Sequence, residues 1–170
     1  VADCLNDPLE VLAFLTNCAT EHLAGRPDGV PALILQGAEG VDSPYGCCPR
    51  MLVVESLGPF DRGPNVGPGI ITGCDPCDLV LTNSFRVTVK DCAPAFDGKS
   101  INGAPPVDTV RNALALMLVE EAWLLIQALR CCINDAGMCR CGNVTIANHS
   151  LTEGCAQYWA EVVWEFLPCC

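Results

Sequence analysis

Fourteen of the 170 residues are cysteines, a share of about 8%, at which disulfides or bound metal become the first chemistry to consider. Cys74-Asp-Pro-Cys77 has the spacing shared by zinc ribbons and thioredoxin-type redox sites, and Cys139-Arg-Cys141 could bring the sulfurs to four. A redox dithiol, however, draws its low thiolate pKa from the helix it opens, and this pair leads from a glycine-rich loop into a strand. A zinc knuckle uses two matched pairs, and Cys-x-Cys is poor spacing for the second. The doublets Cys47-Cys48, Cys131-Cys132 and Cys169-Cys170 serve neither chemistry. Adjacent cysteines rarely bridge each other, because a disulfide needs suitably turned Cα atoms about 5.5–6 Å apart. The expectation is therefore buried thiols and disulfides between distant segments, with Cys92, Cys131, Cys132 and Cys155 as candidates because they fall at strand and helix ends. No metal site and no cofactor is expected.

Other catalytic chemistry is thinly represented. The chain has two histidines and no Gly-x-Ser-x-Gly, and Glu120 and Glu121, adjacent on one helix, point in different directions instead of forming a dyad. His22 falls near the end of a helix, where the dipole would favour an imidazolium. Gly67-Pro68-Gly69 lacks the lysine and following helix of a phosphate loop. Asn143-Val-Thr145 and Asn148-His-Ser150 match glycosylation acceptors, a triplet common by chance. No enzyme is expected. The net charge of −11, with nine Lys and Arg in all, argues against wrapping nucleic acid, whose phosphates demand cations. Cysteine usage points to an oxidising compartment, yet no basic segment followed by an apolar one stands at the start of this sequence.

The elements that must position these groups follow from periodicity. A composition 51% hydrophobic over 170 residues supports one well-filled core, hence one domain over 1–170. The longest consistent pattern is a helix over 105–132, opened by Pro105, Pro106 and Asp108 and wholly apolar from Ala113 to Val119. It is apolar on more than one stripe, so it should pack against two things, a sheet and either another helix or a neighbouring subunit. Glu120 and Glu121 oppose a membrane span, since each mid-membrane carboxylate costs roughly 2.5–3.5 kcal/mol.

An earlier helix is expected over 8–23, with Asp7 as N-cap, Pro8 at its first position and Gly25 ending it. Its core face would be Leu12, Leu15, Ala19 and Leu23. Residues 25–49 read as loop, although 32–36 resembles a short strand. Strands are expected over 51–57, 79–90, 140–146 and 157–167; the second alternates Phe85, Val87 and Val89 against Arg86, Thr88 and Lys90. Long Gly- and Pro-rich loops occupy 58–78 and 92–104. The fold class is thus α+β, order α-β-β-α-β-β, with a four-stranded, mainly antiparallel sheet packed by two helices.

Four features carry a family resemblance: Tyr45-Gly-Cys-Cys-Pro-Arg-Met-Leu-Val-Val54, Phe85-Arg-Val-Thr-Val-Lys-Asp-Cys-Ala-Pro94, the long helix ending in Cys131-Cys132, and Glu153-Gly-Cys155 before the last strand. In these the chain resembles the tail terminator and head-to-tail connector proteins of long-tailed (siphovirus-type) bacteriophages of actinobacteria. The resemblance implies a virion structural protein, assembled in the host cytoplasm and located at the tail and neck. Such a subunit forms a ring with itself, of six copies, that caps the tail tube, stops its polymerisation and docks the neck. Its partners would be the tail tube protein and the head-completion (stopper) protein, with DNA passing through unbound and no membrane contact. No catalytic residue transfers.

On that reading the long loops are interfaces, with Asp61, Arg62, Asp97 and Lys99 as contact candidates. The acidic balance would be concentrated where water is plentiful, with Glu161, Glu165 and Asp97 as channel-lining candidates. A virion made in a reducing cytoplasm and released outside also reconciles the cysteine count with the missing export signal. The competing readings are a secreted disulfide-stapled binding protein, another ring of the connector, and a zinc-binding regulatory module.

Overall fold

The computed structural model describes residues 4–62, 81–93, 109–152 and 154–166. The first helix, α1 (Pro8–Ala24), starts as its sequence directs: the Asp7 carboxylate accepts the Leu9 backbone N–H at 2.8 Å, and Pro8 follows with no amide to satisfy. Gly25 closes it by donating its backbone N–H to the His22 carbonyl. Val11, Leu12, Leu15, Cys18, Ala19 and Leu23 are buried.

The strands that follow are β1 (Leu33–Ala38), β2 (Met51–Ser56), the two-residue β3 (Asp61–Arg62) and β4 (Leu81–Cys92). Then come α2 (Thr109–Asp135), β5 (Gly142–Thr152) and β6 (Cys155–Phe166). The main sheet runs β1-β2-β4-β6-β5, and β3 adds a short pairing on β4. This corrects the expectation of four strands. Residues 33–38, read from the sequence as loop, form an edge strand parallel to β2, with Leu33 opposite Met51 and Ala38 opposite Ser56. All other pairings are antiparallel, so the sheet is mixed. Parallel neighbours need a long crossover, here the segment 39–50.

Both helices cover one face. Leu52 and Val54 of β2, Phe85, Val87 and Val89 of β4, and Tyr158, Ala160, Val162, Trp164 and Phe166 of β6 join the buried residues of α1 and Leu118, Ala122, Leu125, Leu129 and Ile133 of α2 in one core. The alternation read for β4 and β6 thus corresponds to helix-side burial. The opposite face is not simply wet, since Met51 and Val53 on it are fully buried. The crossover lies there: the Gly40 backbone N–H donates to Glu55 Oε2 at 3.0 Å, and Asp42 pairs with Lys90.

α2 continues past its expected end and stops where Gly137, at φ 74°, takes a conformation open to glycine, with the Met138 amide donating back to the Ile133 carbonyl. In β5 a bulge between Val144 and Ile146 makes Thr145 the extra residue opposite β6. Ile146, opposite Glu161, is thereby turned to the face away from the helices and is exposed, whereas an unbroken strand would place it on the side of Val144.

Candidate functional site

The feature of α2 that packing leaves unexplained is its outer side. Leu118, Ala122, Leu125 and Leu129 face the core, whereas Leu116, Val119 and Trp123 are 74%, 50% and 58% exposed, with Met117 beside them. Spacings of three and four residues put these side chains on one line along the helix. The same outer side turns polar further on, at Gln127, Arg130 and Asn134. Helix-wide apolarity was legible in the sequence. The structure resolves which half meets the core and which meets solvent.

The cysteines form four disulfide pairs among the described residues. Cys4–Cys141 ties the N-terminal segment to the start of β5, where the Trp164 indole also donates to the Leu5 carbonyl at 3.0 Å. Cys18–Cys132 joins α1 to α2 across 5.9 Å between Cα atoms. Cys47–Cys155 and Cys48–Cys92 fasten the crossover to the ends of β6 and β4, with Cα separations of 5.3 and 5.1 Å. Cys92, Cys132 and Cys155 are therefore each placed against a cysteine from a distant segment. Cys131 is not: it sits on the exposed side of α2, without a cysteine partner among the described residues, because one helical step from Cys132 rotates it away from α1. Cys139 is likewise exposed and free, and its neighbour Cys141 is in a disulfide. Among the described residues no cluster with metal-binding geometry forms. Cys74 and Cys77 lie outside the described residues, as do residues 67–69, Asp97 and Lys99. The doublet Cys47-Cys48 was missed as a disulfide source because neighbours do not bridge each other, yet each can bridge a different strand.

Two polar groupings accompany these features. In the first, Arg26, in the turn after α1, pairs with Glu121 of α2. The hydrogen bond to Glu121 raises the already high pKa of Arg26. His22 lies close by, and burial lowers its pKa, outweighing the Glu121 carboxylate that raises it. The imidazolium expected from the helix dipole is thus disfavoured, and the His22 Nε2 atom is buried without a hydrogen bond. Tyr158, on β6 beneath this pair, has its phenol pKa pushed up, first by burial. Arg26, Glu121 and Tyr158, together with Arg50 and Asp91, border a cavity of about 300 Å³ between α2 and the sheet. Glu120 borders the same cavity but is exposed, whereas Glu121 is half-buried against Arg26.

The second grouping runs across the back of the sheet. Glu55, Arg86 and Glu161 stand directly opposite one another on β2, β4 and β6. Arg86 donates to Glu161 Oε1 at 2.9 and 3.1 Å and lies 3.8 Å from Glu55. Glu161, a channel candidate, is therefore balanced by an arginine, while Glu165 is exposed near the end of β6. Nearby, burial draws the Lys90 ammonium below its ordinary pKa even with Asp42 beside it. Asp61 and Arg62 form β3, opposite Thr82 and Leu81. Asn143 and Asn148, the glycosylation-type asparagines, are exposed on the edge strand β5. No described helix is long and apolar enough to cross a membrane. No family model and no curated protein sequence matches the chain.

Proposed function

We propose that the chain is the ring-forming subunit of a tail terminator in a long-tailed phage of actinobacteria, a structural protein that caps the tail tube and docks the neck. The observation that carries the proposal is the exposed line Leu116, Val119, Trp123 on a helix whose other side is already buried in the core. Covering a side chain of this kind is worth about 1.5–3 kcal/mol, and tryptophan is enriched among residues that dominate interfaces. A head-to-tail contact that closes by rotation makes a ring from identical subunits. The family resemblance supplies the assembly in which such a ring belongs. In that ring Glu165 is the exposed acid of the two β6 candidates and the better placed to face water and passing DNA, whereas Glu161 is half-buried and hydrogen-bonded to Arg86.

The test is the mass of the particle in solution for the native chain and for Trp123→Glu. A native oligomer that the substitution reduces to folded monomers supports the reading. A native chain that is monomeric at all concentrations up to about 100 μM, well above the micromolar range of ordinary interfaces, contradicts it. In the phage, loss of the protein should give tails of uncontrolled length that do not join heads.

The four disulfide pairs favour one second reading, a disulfide-stapled binding module working in an oxidising compartment. A native chain that is monomeric in the same mass measurement favours this reading over the ring.

A further inference from the structure

Cys92 and Cys155 are the terminal in-register pair of the β4–β6 ladder, standing side by side on neighbouring strands. Each is bridged to one member of the crossover doublet, Cys92 to Cys48 and Cys155 to Cys47. Four sulfurs therefore meet at one corner of the sheet, and Cys92 Sγ also lies 3.9 Å from the Cys47 carbonyl oxygen. Directly opposed residues on antiparallel strands have Cα atoms about 4.5–5.5 Å apart, inside the range of about 4.4–6.8 Å that a disulfide spans. Cys92 and Cys155 can thus pair with each other without moving the sheet. The two bridges also differ in access: Cys48 and Cys92 are exposed, Cys47 and Cys155 half-buried.

We propose that these four cysteines form a redox latch on the crossover, one that a single dithiol equivalent opens completely. The dithiol attacks the exposed Cys48–Cys92 bridge and leaves as a cyclic disulfide, taking that bridge to two thiols with its two electrons and two protons. The Cys92 thiolate then attacks Cys155 Sγ. The Cys92–Cys155 bond forms, the Cys47–Cys155 bond breaks, and the departing Cys47 thiolate takes up a proton. This second step is an exchange with no net redox change. One bridge remains, now internal to the sheet, and both anchors of the crossover are gone. The residues beneath it, Met51 and Val53, are wholly buried on that face, and polar contacts (Asp42–Lys90, the Gly40 amide to Glu55, Arg50–Asp91) are left to hold the segment. The latch thus couples the redox state of one exposed bridge to access to the back of the sheet.

The experiment treats the full chain with dithiothreitol at one equivalent or less, quenches with acid, alkylates, and maps the linked peptides by mass. The expected first product carries alkyl groups on both Cys47 and Cys48 and a Cys92–Cys155 linkage. Its backbone amides at Val41 and Tyr45, hydrogen-bonded in the crossover, should lose protection from hydrogen exchange. A product with Cys47–Cys155 intact and Cys48 and Cys92 alkylated overturns the exchange, and unchanged protection overturns the release. Cys48→Ser provides a second arm without reductant. It should isolate with Cys92 bonded to Cys155 and a free Cys47 thiol, whereas a persistent Cys47–Cys155 bond beside a free Cys92 contradicts the latch.

Discussion

Gly142 lies opposite Trp164 across the β5–β6 ladder, and the six-membered ring of the indole occupies the space that a Cβ at Gly142 would need. Trp164 is fully buried, meets Phe14 edge-on at 5.9 Å between ring centroids, and is pinned by its indole hydrogen bond to Leu5. Its ring therefore has little freedom to yield. Gly142→Ala should destabilise the fold by about 1–3 kcal/mol, the usual range for overpacking a filled core. Urea unfolding checks this, and a midpoint equal to the native one would show that the ring gives way.

The Cys18–Cys132 bridge connects residues 114 positions apart and joins the two helices over the core. Replacing both cysteines with alanine should cost about 2–4 kcal/mol, mainly by freeing the unfolded chain. Cys131→Ala, on the outer side of α2, should leave stability unchanged. Thermal unfolding of the two variants measures the contrast, and equal losses would mean that the pairing runs through the wrong member of the doublet.

The burial that lowers the His22 pKa sets a pH dependence of stability. Between the depressed folded value and the ordinary 6.5, the unfolded chain binds more protons than the folded one, so stability is fully present above about 6.5 and falls as the pH drops through that window. Glu121 acts against the depression and Arg26 with it. In Glu121→Gln the His22 titration should move lower still. Proton NMR of the imidazole tests both statements; a His22 pKa above 6.5, or an upward move in the variant, would contradict them.

How far the fold was legible depends on what each stretch packs against. α1, β4 and β6 carry their own instructions, a capping Asp7 in one and apolar–polar alternation in the others, because each buries one face in the shared core. β1 does not. It is an edge strand with no fully buried residue, and its partner β2 lies beyond a Gly- and Pro-containing crossover, so the short strand-like run at 32–36 stands among loop-forming residues with no sequence neighbour to pair with. The exposed line on α2 was half legible: excess apolarity showed in the residues, but which residues the core takes depends on the rotation of α2 over β5 and β6. The disulfide partners were legible only in part, because pairing depends on which strand ends the topology brings together. Cys92 and Cys155 become neighbours only through the β4–β6 ladder.

Trp123, Leu116 and Val119 form the surface on which the functional account rests. Trp123→Glu should abolish assembly while leaving far-UV circular dichroism unchanged and the subunit's unfolding free energy within about 0.5 kcal/mol of native, as expected for an exposed site. A variant that unfolds instead would place Trp123 in the core.

The most direct measurement is negative-stain electron microscopy of the purified native chain beside Trp123→Glu. The account predicts closed rings with a central hole for the native protein and none for the variant. Native fields of isolated small particles, or rings that persist unchanged in Trp123→Glu, would contradict it.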